Sequence, residues 1–141
     1  MLGYIEKGVK EGAKVIMGGA RHGTYFVAPT LFTEVKDDFV IAKEEIFRPI
    51  AVAIKFKMME EVIERANSSD YGLAAAVHTR DFELANKMSM ALEAGMVWIN
   101  CYNVLVDQMP FGGYKTSGIG RELSEYALLE YLQVKAVIGK L

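Results

Sequence analysis

"IAVAIKF", residues Ile50–Phe56, carries apolar side chains at consecutive positions rather than at every second one. A strand patterned this way is buried on both faces, as inside a parallel sheet covered by helices. The chain that follows repeats the theme. Met59, Val62, Ile63 and Ala66 recur at helical spacing, "NSSDYG" (Asn67–Gly72) supplies a stop and a turn, and "LAAAV" (Leu73–Val77) reads as a second buried strand. Thr79 or Asp81 can cap a helix that carries Leu84, Ala85, Met88 and Leu92 inward, Gly95 can end it, and "MVWIN" (Met96–Asn100) is a third strand. Strands alternating with helices over short connections imply right-handed crossovers. The expected fold class is therefore α/β, a largely parallel sheet with flanking helices, and ligands belong outside the carboxyl ends of its strands.

Upstream, Leu2, Ile5 and Val9 fall on one face of a first helix that Gly12 can end. "AKVIMGG" (Ala13–Gly19) is a short strand closed by glycines, and "FVAPTLFTEV" (Phe26–Val35) is extended, with Pro29 at an edge or bulge. Downstream of Asn100 regularity lapses over "CYNVLVDQMPFGGYKTSGIGRE" (Cys101–Glu122), a length unusual for a loop without a task. A helix is expected from about Arg121. "QVKAVIGKL" (Gln133–Leu141) reads as a terminal strand whose ladder groups need a partner, such as another subunit.

Composition narrows the function classes. A chain of 141 residues, 52% hydrophobic and 24% charged, is globular and long enough for one ordinary core. Its net charge of −2 and scattered cations provide no field for nucleic acid. No run of about 18 apolar residues suggests a membrane span, so no membrane partner is expected. The single cysteine, Cys101, excludes an internal disulfide framework, and no Cys/His spacing suggests a metal. A reducing setting fits, the cytoplasm or an organelle matrix.

Weighed singly, most chemical candidates take their plain reading. "GIGREL" (Gly118–Leu123) lacks the third glycine and the preceding buried strand of a dinucleotide fingerprint. His22 and His78 have no spaced triad partner, and Cys101 has no basic cluster beside it, so a structural thiol is the reading. "KEEIFRP" (Lys43–Pro49) stays open. Glu44 and Glu45 can be a solvent-facing pair, which spacing alone favours, or one carboxylate can accept from a diol while the following aromatic packs on a flat ring.

Together, "AKEEIFRPI" (Ala42–Ile50), "NSSDYGLAAAVHTRD" (Asn67–Asp81), "AGMVWINCY" (Ala94–Tyr102) and "PFGGYKTSGIGRE" (Pro110–Glu122) resemble the C-terminal part of the NAD(P)-dependent aldehyde dehydrogenase superfamily, nearest to its cytosolic, mitochondrial and retinal-oxidising class. The resemblance runs from Met1 to Leu141 and covers about the last third of such an enzyme. It implies that residues 1–132 are the C-terminal portion of the catalytic domain and 133–141 an oligomerisation strand. It also implies that Glu45 binds the nicotinamide ribose hydroxyls of NAD or NADP, that Phe47 flanks the nicotinamide, and that Leu105 and Phe111 wall the aldehyde tunnel. Gly112, Gly113, Gly118 and Gly120 resemble turn residues.

Two departures stand out. Arg48 replaces the family's usual glycine after the phenylalanine, and either swings to solvent or crowds the nicotinamide. The family's nucleophilic cysteine, general-base glutamate and cofactor domain lie N-terminal to everything matched. The expected product is therefore a fragment, alternative product or truncated gene that cannot oxidise aldehydes alone, with a homo-oligomer or full-length subunits as partners. Any mitochondrial presequence would also lie upstream. The alternative is a non-catalytic module that pairs with full-length subunits.

Overall fold

The structure is a computed structural model that describes residues 1–140. It divides into two compact units, Met1–Glu61 and Val62–Leu141.

In the first unit, helix α1 (Leu2–Glu11) ends as its sequence predicts: Gly12 takes φ 102°, a left-handed turn in which its N–H reaches the carbonyls of Gly8 and Val9. Strands β1 (Lys14–Met17), β4 (Thr30–Thr33) and β5 (Ile50–Val52) form a sheet in the order β1-β4-β5. The first pair is antiparallel and the second parallel. Pro29 falls between a small hairpin, β2 (Arg21–His22) with β3 (Phe26–Val27), and β4, where no ladder N–H is required of it. Ile5, Phe32, Val35, Phe39 and Ile41 make the core, with Phe32 fully buried. Gly8 lets α1 sit this close, because a Cβ there would lie 2.8 Å from Ile41. Val9, expected on the inner face, is 53% exposed. Helix α2 (Val40–Lys43) has no capping side chain of its own; the Glu11 carboxylate receives the Val40 N–H, at 3.0 Å to Oε2.

Helix α3 (Met59–Asn67) begins at the junction and runs into the second unit. There β7 (Ala74–Val77) and β8 (Met96–Ile99) pair in parallel through the crossover helix α4 (Phe82–Ala91). Asp81 caps α4, its Oδ1 accepting from the Leu84 N–H at 3.0 Å. Gly95 has a different task from the expected one. The helix ends at Leu92, and a Cβ on Gly95 would fall 1.7 Å from the Gly112 carbonyl oxygen. Strands β6 (Tyr71–Gly72) and β9 (Tyr114–Lys115) pair antiparallel, so the long segment after Asn100 returns to lie beside the turn that precedes β7.

The α/β class is as expected, and both crossover pairings are parallel. Two further local expectations are corrected. "IAVAIKF" forms ladder only over Ile50–Val52, and its second half is exposed because nothing pairs with its outer edge among the described residues. The helix expected near Arg121 is a 3-10 helix at Glu125–Glu130, started by Ser124. Residues 133–140 form no ladder within the chain itself, and Leu141 lies outside the described residues. No described helix is long and apolar enough to cross a membrane.

Candidate functional site

In "KEEIFRP" alternate side chains are held differently. The Tyr4 hydroxyl donates to Glu44 Oε2 at 2.8 Å, and Ile46 packs against the core of the first unit. Glu44 is thus tied to α1 rather than simply solvated. Glu45 and Phe47, the residues between and after these anchors, are both exposed, Phe47 to 80%. The Glu45 carboxylate makes no hydrogen bond or ion pair with another described residue. With Glu44 and Ile46 anchored, Glu45 and Phe47 are left as exposed side chains of the segment.

Phe47 has φ 51°, in the left-handed region that bulky residues seldom occupy. Arg48 Nη1 donates to the Phe47 carbonyl at 2.7 Å, and Pro49 follows, its carbonyl receiving the Thr30 N–H at 2.9 Å at the head of β4. Of the alternatives for Arg48, the structure has it folded back on its neighbour's carbonyl and exposed. An unpaired carboxylate beside an exposed aromatic face can accept two hydroxyls of a diol and cover one face of a planar ring. Those are the chemical needs of a nicotinamide riboside group.

Leu105 and Phe111 belong to the second unit. Asn100 closes β8 by exchanging two hydrogen bonds with Thr79: Oδ1 accepts the Thr79 N–H and Nδ2 donates to the Thr79 carbonyl, both at 2.8 Å. Beyond it the loop is pinned from below. Trp98, 7% exposed, donates from Nε1 to the Val104 carbonyl at 2.8 Å and meets the Tyr102 ring edge-on at 5.2 Å. Leu105, next to that anchor, is 48% exposed. Phe111 pairs with Glu122 through mutual backbone bonds of 2.8 Å and lines a cleft of about 600 Å³ with Leu73, Ser117, Ile119 and Ala127. Leu105 does not line that cleft.

The four glycines of this segment serve its backbone: those at 118 and 120 have φ of 134° and 89°, and those at 112 and 113 are approached closely by Gly120 and Ser117. Sequence reasoning passed over Lys115, which holds the segment down. Its Nζ donates to the carbonyls of Asn67 (2.6 Å) and Ser69 (3.1 Å) and pairs with Glu93 at 2.8 Å. Its signal was a cation set among the glycines of the loop. Arg121 likewise donates to the Gly113 and Gly120 carbonyls. Cys101 is a free, exposed thiol.

Comparison with known proteins bears directly on these features. The family model described as "Aldehyde dehydrogenase family" matches residues 1–137. The mitochondrial aldehyde dehydrogenase of Rattus norvegicus is 58% identical over 142 residues, and human retinaldehyde dehydrogenase 3 is 57% identical over 143. They are covered by 27% and 28% of their length, against 99% and 100% of this chain. Among solved structures, a mutant aldehyde dehydrogenase from Bacillus cereus superposes with a TM-score of 0.93 at 56% identity, over 96% of this chain and 28% of its own. An indole-3-acetaldehyde dehydrogenase mutant from P. syringae, in complex with NAD+ and IAA, gives 0.93 at 41% identity, over 99% and 29%. The chain thus spans a little over a quarter of the length of the relatives it matches.

Proposed function

Because this chain belongs to the aldehyde dehydrogenase family, we propose that it provides the nicotinamide-side grip and part of the substrate wall for NAD(P)-dependent oxidation of aldehydes to carboxylic acids. The observation that carries this reading is the outward pair Glu45 and Phe47, unpartnered and exposed on a segment fixed at Glu44, Ile46 and Arg48. When bound, the nicotinamide supplies the hydride acceptor. Glu45 accepts the two ribose hydroxyls and so fixes which way the ring faces, and Phe47 shields one face from water. Leu105 and Phe111 offer apolar surface to the aldehyde's tail. On this reading the chain oxidises nothing unaided, because the exposed Cys101 thiol has no general base beside it among the described residues.

Saturation-transfer NMR on the purified chain with NAD⁺ tests the grip at the weak affinities expected of one wall. Transfer to the nicotinamide and adjoining ribose protons is expected, falling roughly tenfold in Glu45→Gln, since one charge-assisted hydrogen bond contributes about 1.5 to 3 kcal/mol. Equal transfer in the wild type and the variant would overturn the assignment.

A second reading draws on the terminal segment, residues 133–141. Val134, Val137 and Ile138 are 102%, 82% and 98% exposed, an apolar stretch with no ladder of its own. As an oligomerisation strand it adds to the sheet of another subunit, either a second copy or a full-length enzyme whose activity it alters. Co-elution with a full-length relative, lost on deleting residues 133–141, is the expected outcome.

A further inference from the structure

We propose that Arg48 receives the phosphate of the cofactor's nicotinamide half, so that "KEEIFRP" grips a nicotinamide mononucleotide unit, a role that rests on Glu45 and Phe47 holding its riboside. Arg48 is exposed, and its Nη1 donates to the Phe47 carbonyl at 2.7 Å. That bond keeps the guanidinium at the backbone of the residue whose ring is 80% exposed. It also leaves the parallel donors Nε and Nη2 without a partner among the described residues. Glu45, three positions earlier, carries the opposite charge, yet the two side chains form no ion pair with each other. The left-handed residue Phe47 stands between them. A carboxylate and a guanidinium that are neighbours in sequence and leave each other free can each serve an outside group.

A nicotinamide mononucleotide has three features to be read: a vicinal diol, a flat ring and a phosphate. The Glu45 carboxylate accepts from the first, the Phe47 face covers the second, and the fork of Arg48 donates two parallel N–H bonds to the third. Arginine suits this better than lysine, because its planar fork matches two phosphate oxygens and is less strongly hydrated than an ammonium. Glycine, the family's usual residue after the phenylalanine, has no side chain to do so. The phosphate anchor is therefore a property of this chain's own departure from the pattern.

Saturation-transfer NMR titrations of the purified chain with nicotinamide riboside and with nicotinamide mononucleotide test the assignment. At low salt the mononucleotide is expected to bind roughly threefold to fivefold tighter, as for an exposed ion pair, and Arg48→Gln brings that ratio to about one. Taking the ratio within each variant cancels any loosening of the segment by loss of the Phe47 bond. Arg48→Lys keeps part of the preference, and Lys43→Gln, which removes the motif's other cation, keeps all of it. Equal affinities in the wild type, a preference that survives Arg48→Gln, or one that Lys43→Gln abolishes as fully would each overturn the role of Arg48. Failure of the riboside grip looks different: Glu45→Gln then leaves riboside binding unchanged, and the mononucleotide assignment falls with it.

Discussion

The hydroxyl of Tyr4 on α1 and the carboxylate of Glu44 at the end of α2 meet at 2.8 Å, across 40 residues of sequence, and this bond fixes the residue that precedes Glu45. Tyr4→Phe removes only the donor. A loss of roughly 0.5 to 1.5 kcal/mol in urea unfolding is expected, as for a partly exposed hydrogen bond to a charged group. Amide exchange at Glu45–Arg48 accelerates, and saturation transfer from the chain to NAD⁺ weakens although no ligand-facing atom has changed.

Gly95 and Gly3 form a contrasting pair. A Cβ at Gly95 would overlap the Gly112 carbonyl, whereas one at Gly3, inside α1, meets nothing within 4 Å. Gly95→Ala is expected to cost more than about 2 kcal/mol, by forcing two backbone segments apart. Gly3→Ala is expected to stabilise by about 0.5 kcal/mol, through helix propensity and a less free unfolded chain. Urea midpoints of both variants decide this.

Lys115 combines two carbonyl contacts with the Glu93 ion pair, and its side chain is 27% exposed. Lys115→Met should destabilise by roughly 1 to 2 kcal/mol, because the carbonyls of Asn67 and Ser69 lose a shared charged donor. Glu93→Gln, which removes only the half-exposed charge, should cost less than about 1 kcal/mol. In 1 M salt the Glu93 effect shrinks while the Lys115 effect persists, which denaturation at low and high salt will read.

Trp98→Phe keeps an aromatic ring under the loop but deletes the Nε1 donor to Val104. The expected effect is local. Deuterium uptake over Cys101–Met109 rises while α4 and β8 exchange as before, and global stability falls by about 1 to 2 kcal/mol for the lost hydrogen bond and smaller ring.

Elements whose signals are local could be read from the sequence. Gly12, Asp81 and the spacing of Met59, Val62, Ile63 and Ala66 each state a cap or a face within a few residues, and α1, α4 and α3 follow them. What escaped were features set by distant neighbours. Gly8 and Gly95 look like ordinary glycines until Ile41 and Gly112 approach them, and the capping of α2 comes from Glu11, 29 residues away. The strand reading of Ile50–Phe56 was right in kind and too long in extent, because half of its ladder needs an edge this chain does not present. At the site, Glu45 could be singled out by the motif it stands in, but the tyrosine that holds its neighbour Glu44 is invisible at 40 residues' distance. The left-handed turn at Phe47 carries no sequence mark, since neither glycine nor asparagine stands there.

Asn100 directly follows β8. Its amide offers a donor and an acceptor side by side to Thr79, imitating one more peptide unit after β8 has ended. The strand's terminus is thereby specified by one side chain and insulated from what comes after it. The loop that follows can then change in length or composition without its variation propagating into the register of β7 and β8. An aspartate at that position would turn its second oxygen on the Thr79 carbonyl and forfeit this insulation, so the tolerance of the loop to change rests on a side chain outside it.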